Sequence, residues 1–386
     1  MIRIALQMLT FDKGRFLGLV FGVAFAALLI TQQLSIFLGL LGRSGAAIGD
    51  VGQAQIWVMD PSLSAIDLDG VRPLPSTAVQ RVAGITGVAW AREHLRIPTA
   101  VTLGAGARRS CLLVGIDADT WVGGAPQVTS GSWTDLRRAD AVIIDEDAVE
   151  KLWRPGPNGE RIPLRVGDEV EINDHRAVVV GLARGTRPIY FSPSIYTTSE
   201  RVRAWQPGER RDISFVVAGL APGADPTAVA TAITAATGFK AMTTAQFTND
   251  SARFFAANTG IPINFGIAVV LGFIVGIAVA GLLFVQFVHE NLRYLGALKA
   301  MGADDRTLVL MTLAQAGTVG FLGLGLGTGM AASMGRLAGN GTATLAWYMP
   351  PWLLGITAGS VLLIVGIASI AGVRRVLTLE PAVVFR

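Results

Sequence analysis

Four stretches of the chain carry apolar residues with no Asp, Glu, Lys or Arg between them: 16–42, 263–288, 308–335 and 352–372. A helix needs about 20 such residues to cross the hydrocarbon core of a bilayer, so each run is long enough to span one. A single run of this kind can be the buried helix of a soluble core. Four in one chain predict a membrane protein. The first is too long for the apolar segment of a signal peptide, and no small-residue cleavage site with a polar exit follows it. It therefore reads as a retained anchor.

Between the first two runs the pattern changes to short β-branched segments punctuated by Gly, Pro and Asp, the signature of strands and turns. "AQIWVMD" (54–60) predicts a strand, and "RIPTAVTL" and "RRSCLLVGID" predict a hairpin about "GAGA". "AVIIDEDAVEKLW" (141–153) predicts a strand running into a helix. "RVGDEVEINDHRAVVVGLARG" (165–185) alternates about an Asn-Asp turn, a second hairpin. Residues 212–247 read as a strand, a helix with Asp225 as N-cap and Pro226 in its first turn, then another short strand. A last helix, starting near Thr244 and covering about 245–258, leads towards the second run with a break near Pro262. The expected fold is membrane α-helical, with four transmembrane helices and a large extracytoplasmic α+β domain inserted between helices 1 and 2.

Charge orients this layout. Lys and Arg in short flanks mark the cytoplasmic side. They occur at Arg3, Lys13 and Arg15, at Arg293, Lys299 and Arg306, and at Arg374, Arg375 and Arg386, whereas 336–351 carries only Arg336. The expected order is a cytoplasmic amphipathic segment (1–15), span one (16–42), the outer domain with its stalks (43–262) and span two (263–288). A cytoplasmic segment (289–307), span three (308–335), a short external loop (336–351), span four (352–372) and a cytoplasmic tail (373–386) follow. The excess of 32 basic over 28 acidic residues is then mostly topology, and no nucleic-acid signature accompanies it. Cys111 is the only cysteine, so the outer domain must be held by its own core rather than by an internal disulfide.

Chemistry is sparse. No GxxxxGK[ST] motif is present, so ATP is not bound through a P-loop. "GLGLGTG" (323–329) is Gly-rich but lies inside the third span, where Gly323 with Gly327 and Gly325 with Gly329 are spaced for close helix contact. Gly272 with Gly276 and Gly355 with Gly359 repeat that spacing. His94, His175 and His289 are far apart and match no metal-site spacing. "DED" (145–147) reads as acidic residues favouring the start of a helix, and Asp117 and Asp119 as turn residues. The spans hold no ionisable group, which proton-coupled carriers and pumps generally require. Their polar residues, such as Thr31, Gln32, Gln33, Ser35, Gln286, Thr312, Gln315 and Thr318, serve helix–helix hydrogen bonding or line a route. If the chain moves anything, a partner supplies the energy.

The charged stretch 287–311, "FVHENLRYLGALKAMGADDRTLVLM", stands out between the second and third runs. It contains strong helix formers up to Met301, with Gly302 as C-cap and Asp304 as N-cap of the next span. Leu292, Leu295, Leu298 and Met301 recur every three residues beside charges, more than a solvated connector needs.

"LRYLGALKAMGADDRTLVLMTLAQA" resembles the signature loop of FtsX-like ABC-transporter permeases, with Gly296, Lys299, Ala300, Gly302 and Ala303 at matching positions. The ending "RRVLTLEPAVVFR" resembles that family's C-terminus through Arg374, Arg375, Glu380, Pro381, Ala382 and Phe385. In layout and length the chain looks most like the DevC-type members. The resemblance implies a homodimer in the bacterial inner membrane, both termini cytoplasmic, each subunit engaging a separate cytosolic ABC ATPase that carries ATP and Mg. It implies no cofactor on this chain and no catalytic or metal site. A periplasmic adaptor, an outer-membrane duct and export of a lipid or other amphipathic substrate are also implied. A regulator that transmits motion to a periplasmic hydrolase and a lipoprotein-extracting, Lol-like permease are the alternatives. On this reading 290–303 is the coupling helix, with Glu290, Arg293, Leu295, Leu298, Lys299, Met301, Gly302 and Asp304 contacting the ATPase and both leucines buried in its groove. The family's usual Glu after the first Arg of the loop is here Tyr294, so part of the pairing must come from Glu290, Asp304 or Asp305.

Overall fold

The computed structural model describes residues 2–66, 72–146, 149, 151–156, 160–187, 193–206, 213–339 and 345–377. The chain forms two compact units, one of Met1–Leu40 with Thr259–Arg386 and one of Leu41–Asn258. Helix α1 (Ile2–Phe11) ends at a bend at Asp12, and α2 (Lys13–Ser44) follows at once. Asp12 organises that bend: its carbonyl accepts from the Phe16 N–H at 3.0 Å and its carboxylate from the Arg15 N–H at 3.2 Å. At 1.5 Å per residue α2 is about 48 Å long, more than a bilayer core requires.

The second unit contains, in order, α3 (Ala46–Gly49), β1 (Ile56–Met59), α4 (Ala78–Ala83), β2 (Val88–Leu103), β3 (Ala107–Ile116), β4 (Gln127–Ser130) and β5 (Ala141–Asp145). Next come β6 (Trp153–Pro155), β7 (Arg161–Pro163), β8 (Glu169–Ile172), β9 (His175–Arg184), β10 (Ser194–Thr198) and α5 (Ser199–Trp205). It closes with β11 (Phe215–Leu220), α6 (Pro226–Thr237), β12 (Lys240–Thr243) and α7 (Thr244–Asn258). Strands β12, β1, β11 and β2 lie side by side in that order, antiparallel, with α4 and α6 as crossovers: a split β-α-β arrangement. Because side chains alternate along a strand, Ile56 and Val58 pack with Val82 and Ile233 on the helical face. Trp57 and Met59 pack on the other face with Ile48, Phe215 and Phe247. Covering on both faces is why all four residues of β1 are buried.

Strand β2 is long, 16 residues, and belongs to two bodies. Its first half pairs with β11 and its second half with β3 and β8. Since β8 also pairs with β9, the series β2-β3-β10-β5-β9-β8 returns to β2 as a closed barrel, and β4 extends from β9. Closure removes exposed strand edges. Its buried residues include Val101, Leu113, Ile144, Ile172, Val179 and Ile195. The β8–β9 turn carries Asn173 and Asp174 with φ of 49° and 64°, the left-handed pair a two-residue hairpin turn demands. Asp225 caps α6 as expected, accepting from the Thr227 and Ala228 N–H groups at 3.3 and 3.0 Å.

One local expectation fails. The stretch 141–153 does not end as a helix: Trp153 opens strand β6, paired with β7. Asp145 is a buried residue of β5 rather than a helix-start charge, because β5 is flanked by β10 and β9 and its whole length is enclosed. Residues 147, 148 and 150 of that predicted helix lie outside the described residues.

The remaining helices are α8 (Ile261–Glu290), α9 (Leu292–Ala300), α10 (Asp305–Gly339) and α11 (Pro351–Leu377). Among the described residues four helices, α2, α8, α10 and α11, are long and apolar enough to cross a membrane, with the α+β domain between the first and second. Small residues set their contacts. A Cβ on Gly276 would stand 2.6 Å from the Ala26 Cβ, and one on Gly272 3.3 Å from the Leu29 Cβ, so α8 lies close on α2 there. Gly323 and Gly327 bring α10 equally close to Val23 and Ala24 of α2. Gly355 and Gly359 differ from the expectation, as do Gly325 and Gly329: nothing described lies within 4 Å of where their Cβ would be, since they turn away from the chain's own helices. Polar residues supplement the packing. Thr31 and Thr357 hydroxyls meet at 3.2 Å between α2 and α11, and the Gln315 amide donates to the Ala5 carbonyl at 2.8 Å, tying α1 to α10. The family-like ending beyond Leu377, including Glu380, Pro381, Ala382 and Phe385, lies outside the described residues.

Candidate functional site

The segment joining α8 to α10 is a rigid helix–turn–helix. The Asn291 side chain donates to the Phe287 carbonyl at 2.8 Å, and α9 begins immediately. Alpha-helical geometry ends in a left-handed residue, Gly302, at φ +100°. The Gly302 N–H donates to the Lys299 carbonyl and the Ala303 N–H to the Leu298 carbonyl, both at 3.0 Å. This crossed pair is a Schellman cap, closed by apolar contact between the residues on either side; Leu298 and Ala303 both pack against the same core. Asp304 then caps α10, accepting from the Thr307 N–H at 3.1 Å and from its hydroxyl. Those hydrogen bonds hold the Asp304 carboxyl below its ordinary value.

The residues expected to meet a partner divide into two sets. Leu295 is 4% exposed and sits in the chain's own core with Phe287, Leu308 and Met311, so it is not available to a second protein. Leu298 is half-buried against the same cluster. For Leu295 the expectation of a seat in a partner's groove is therefore corrected: a three-residue spacing drifts around a helix, and only part of that stripe faces outward. Glu290 is paired with Arg15 of α2, and Lys299 with Asp305 at 2.8 Å. The outward set is Arg293, Tyr294, Met301, Gly302 and Asp304, with Tyr294 61% and Met301 76% exposed. The sequence treated Tyr294 as a departure from a motif. Its exposure next to Arg293, two turns before Met301, makes it part of the surface instead.

The arrangement holds no nucleophile–base pair. Among the described residues no group of His, Cys, Asp and Glu is placed to hold a metal ion. What it offers is a short stiff helix fixed at both ends, with an aromatic, a thioether and a guanidinium on its free face. Four candidate spans, a large domain between the first two and this capped helix between the next two define a polytopic membrane protein.

Comparison with known proteins agrees. The model of the MacB-like periplasmic core domain matches residues 16–236, and that of the FtsX-like permease C-terminal region matches residues 266–381. The chain belongs to the FtsX/MacB-type family of ABC-transporter permeases. Among solved structures, it is similar to the periplasmic region of MacB from Actinobacillus actinomycetemcomitans, at 12% identity and a TM-score of 0.38, over 52% of this chain and 93% of that one. It is also similar to the extracellular domain of the noncanonic ABC-type transporter YknZ from Gram-positive bacteria, at 13% identity and a TM-score of 0.34, over 49% and 98%. No curated protein matches significantly.

Proposed function

We propose that this chain is the membrane subunit through which a separate cytosolic ATPase drives motion of the outer domain, with α9 as the coupling helix and both termini cytoplasmic. The observation that carries the reading is the outward face of α9, where Tyr294 and Met301 stand exposed on a helix locked by the Gly302 cap. ATP and Mg are held by the partner. The working unit is a homodimer: α8 is the least enclosed of the four spanning helices and leaves Ile267, Val270, Leu271 and Ile274 uncovered. The absence of any ionisable residue in the apolar runs supports mechanical transmission over ion-coupled transport. Within the family we favour a DevC-like exporter of a lipid or other amphipathic molecule, working with a periplasmic adaptor and an outer-membrane duct.

The test is co-purification with the cognate ATPase. Burying a methionine is worth roughly 1.5–3 kcal/mol, so Met301→Asp should weaken retention on the order of tenfold to a hundredfold. Tyr294→Asp should act likewise, while the outer-domain control Val166→Asp, at a half-exposed position, should not. Neither α9 variant touches the chain's own core, so membrane insertion should persist. Wild-type retention by both α9 variants, or ATP hydrolysis by the purified chain alone, refutes the proposal.

A further inference from the structure

The outer domain contains a hollow of about 450 Å³, within the range that holds small organic molecules. Its walls are the turn after α3 (Asp50 to Gln53), the loop after β3 (Thr120 to Pro126) and Trp133. A smaller hollow of about 30 Å³ adjoins it and shares Asp50 and Gly123 with it.

Three observations mark it as a built site. First, Trp121 has φ of 58°, a left-handed conformation that is an outlier for a bulky side chain. The loop is over-determined to hold it: the Asp117 carboxylate accepts from the Thr120 N–H at 2.9 Å and hydroxyl at 2.6 Å, and the Trp121 N–H donates to the Asp117 carbonyl at 2.9 Å. Strain of this kind gathers at ligand sites. Second, glycine lets the second tryptophan close in: a Cβ on Gly124 would stand 2.7 Å from Trp133. Third, the charged residues lining the two hollows are Asp50, Asp145 and Arg96, two carboxylates against one guanidinium. Asp50 is fixed by the Thr186 N–H at 2.7 Å and hydroxyl at 2.8 Å, and it is the charged residue that reaches the larger hollow.

We propose that this hollow binds a small amphipathic ammonium ion, its cationic head on Asp50 and its apolar body between Trp121 and Trp133. An anion would meet the excess carboxylate. Tryptophan faces attract cations, and Trp121 already carries the Arg137 guanidinium 5.5 Å from its ring centroid, so the head belongs at the Asp50 end and the body at the tryptophan end. The site is independent of α9 and of any ATPase.

The experiment is calorimetric titration of benzyltrimethylammonium into the full chain in zwitterionic-lipid nanodiscs, with empty nanodiscs as blank. Saturable binding is expected, with neutral benzyl alcohol and anionic phenylacetate at least tenfold weaker. Asp50→Asn keeps an acceptor for the Thr186 N–H, turns the second contact into one its amide donates to the Thr186 hydroxyl oxygen, and removes the charge; Gln53→Trp, at an exposed turn position, fills the mouth and leaves the charge. Each should weaken binding at least tenfold with the melting temperature unchanged. No saturable binding, equal binding of benzyl alcohol, or wild-type affinity in Gln53→Trp overturns the proposal. Wild-type affinity in Asp50→Asn overturns the assignment of the cationic head.

Discussion

A methyl group added at Gly327 has nowhere to go. Its Cβ would stand 2.4 Å from the Ala24 carbonyl oxygen, 2.6 Å from the Ala27 Cβ and 2.9 Å from the Leu28 nitrogen. Two of these are backbone atoms of α2, which cannot swing aside as a side-chain tip can. Relief requires α10 and α2 to part by about 1 Å, the shortfall from an ordinary contact of roughly 3.5 Å. Overpacking of this sort costs about 1–3 kcal/mol. Gly325, two residues away on the same helix, has nothing within 4 Å of its Cβ position. The gain in helix propensity from Gly to Ala, about 1 kcal/mol, applies to both, so the difference between Gly327→Ala and Gly325→Ala isolates the packing cost. We expect Gly327→Ala to be less stable than Gly325→Ala by about 1–3 kcal/mol, roughly five- to 150-fold in the folded-to-unfolded ratio. The assay is SDS titration of the purified chain in mixed micelles, followed by loss of helical signal. Equal midpoints would refute the close approach of α10 to α2.

Reporter fusions at Gly124 and Asp304 should give opposite signals if the outer domain and α9 lie on opposite sides of the membrane; equal signals refute that topology. Gly302→Val places a β-branched residue at φ +100° and should cost about 1–2 kcal/mol locally, lowering ATPase stimulation while leaving membrane insertion intact, and unchanged stimulation would show that the cap is dispensable. His94 is fully buried against Trp57, its rings 5.5 Å apart, and burial with the nearby Arg96 charge pushes its pKa down from 6.5 to about 3. The unfolded chain therefore takes up a proton at this site below pH 6.5 that the folded chain refuses until about pH 3, and stability falls with pH across that window. By pH 5 the loss is about 2 kcal/mol, so His94→Phe should flatten the fall in melting temperature between pH 7 and pH 5; an equally steep fall would show that His94 is not the group responsible. Asp50, whose carboxyl burial raises above its ordinary value, contributes with the opposite sign and does not mask this difference, since it is common to both proteins.

What could be read in the sequence was whatever is written in local pattern. Charge-free runs mark the spans because lipid tolerates little else, and Asn173-Asp174 marks a hairpin because few residues accept left-handed φ. The Gly302 and Asp304 caps were legible for the same reason. Contacts between distant segments were not. Nothing in "EVEI" announces that Ile172 pairs with Val101 and closes a barrel. Nothing in a GxxxG spacing tells which pair meets a neighbour, so Gly323 with Gly327 and Gly325 with Gly329 looked alike until α2 was placed. The same limit explains Leu295: the stripe was visible, but whether the core or a partner would claim each leucine depended on how α9 packs. The hollow beside Trp121 was invisible, since its walls come from chain positions as far apart as Asp50 and Trp133 and its strain lies in a dihedral angle.

The first and last segments of the outer domain are fastened to each other. Gly45, just before α3, lets that turn close on α7: a Cβ there would stand 2.5 Å from the Thr248 methyl group. The Thr244 hydroxyl donates to the Ala54 carbonyl at 2.6 Å, and the Thr244 N–H to the Gln55 carbonyl at 3.0 Å. Entry and exit are thus clasped to each other and to the residues that lead into β1. From β1 a displacement passes through the backbone ladder to β11 and on to β2. Strand β2 continues without interruption into the barrel, whose closed strand ring resists local opening. Breaking such ladders would strip buried amides of their partners at about 1–3 kcal/mol each, whereas tilting the whole domain breaks none. Force applied at the clasp is therefore delivered to the far end of the domain as rigid-body motion.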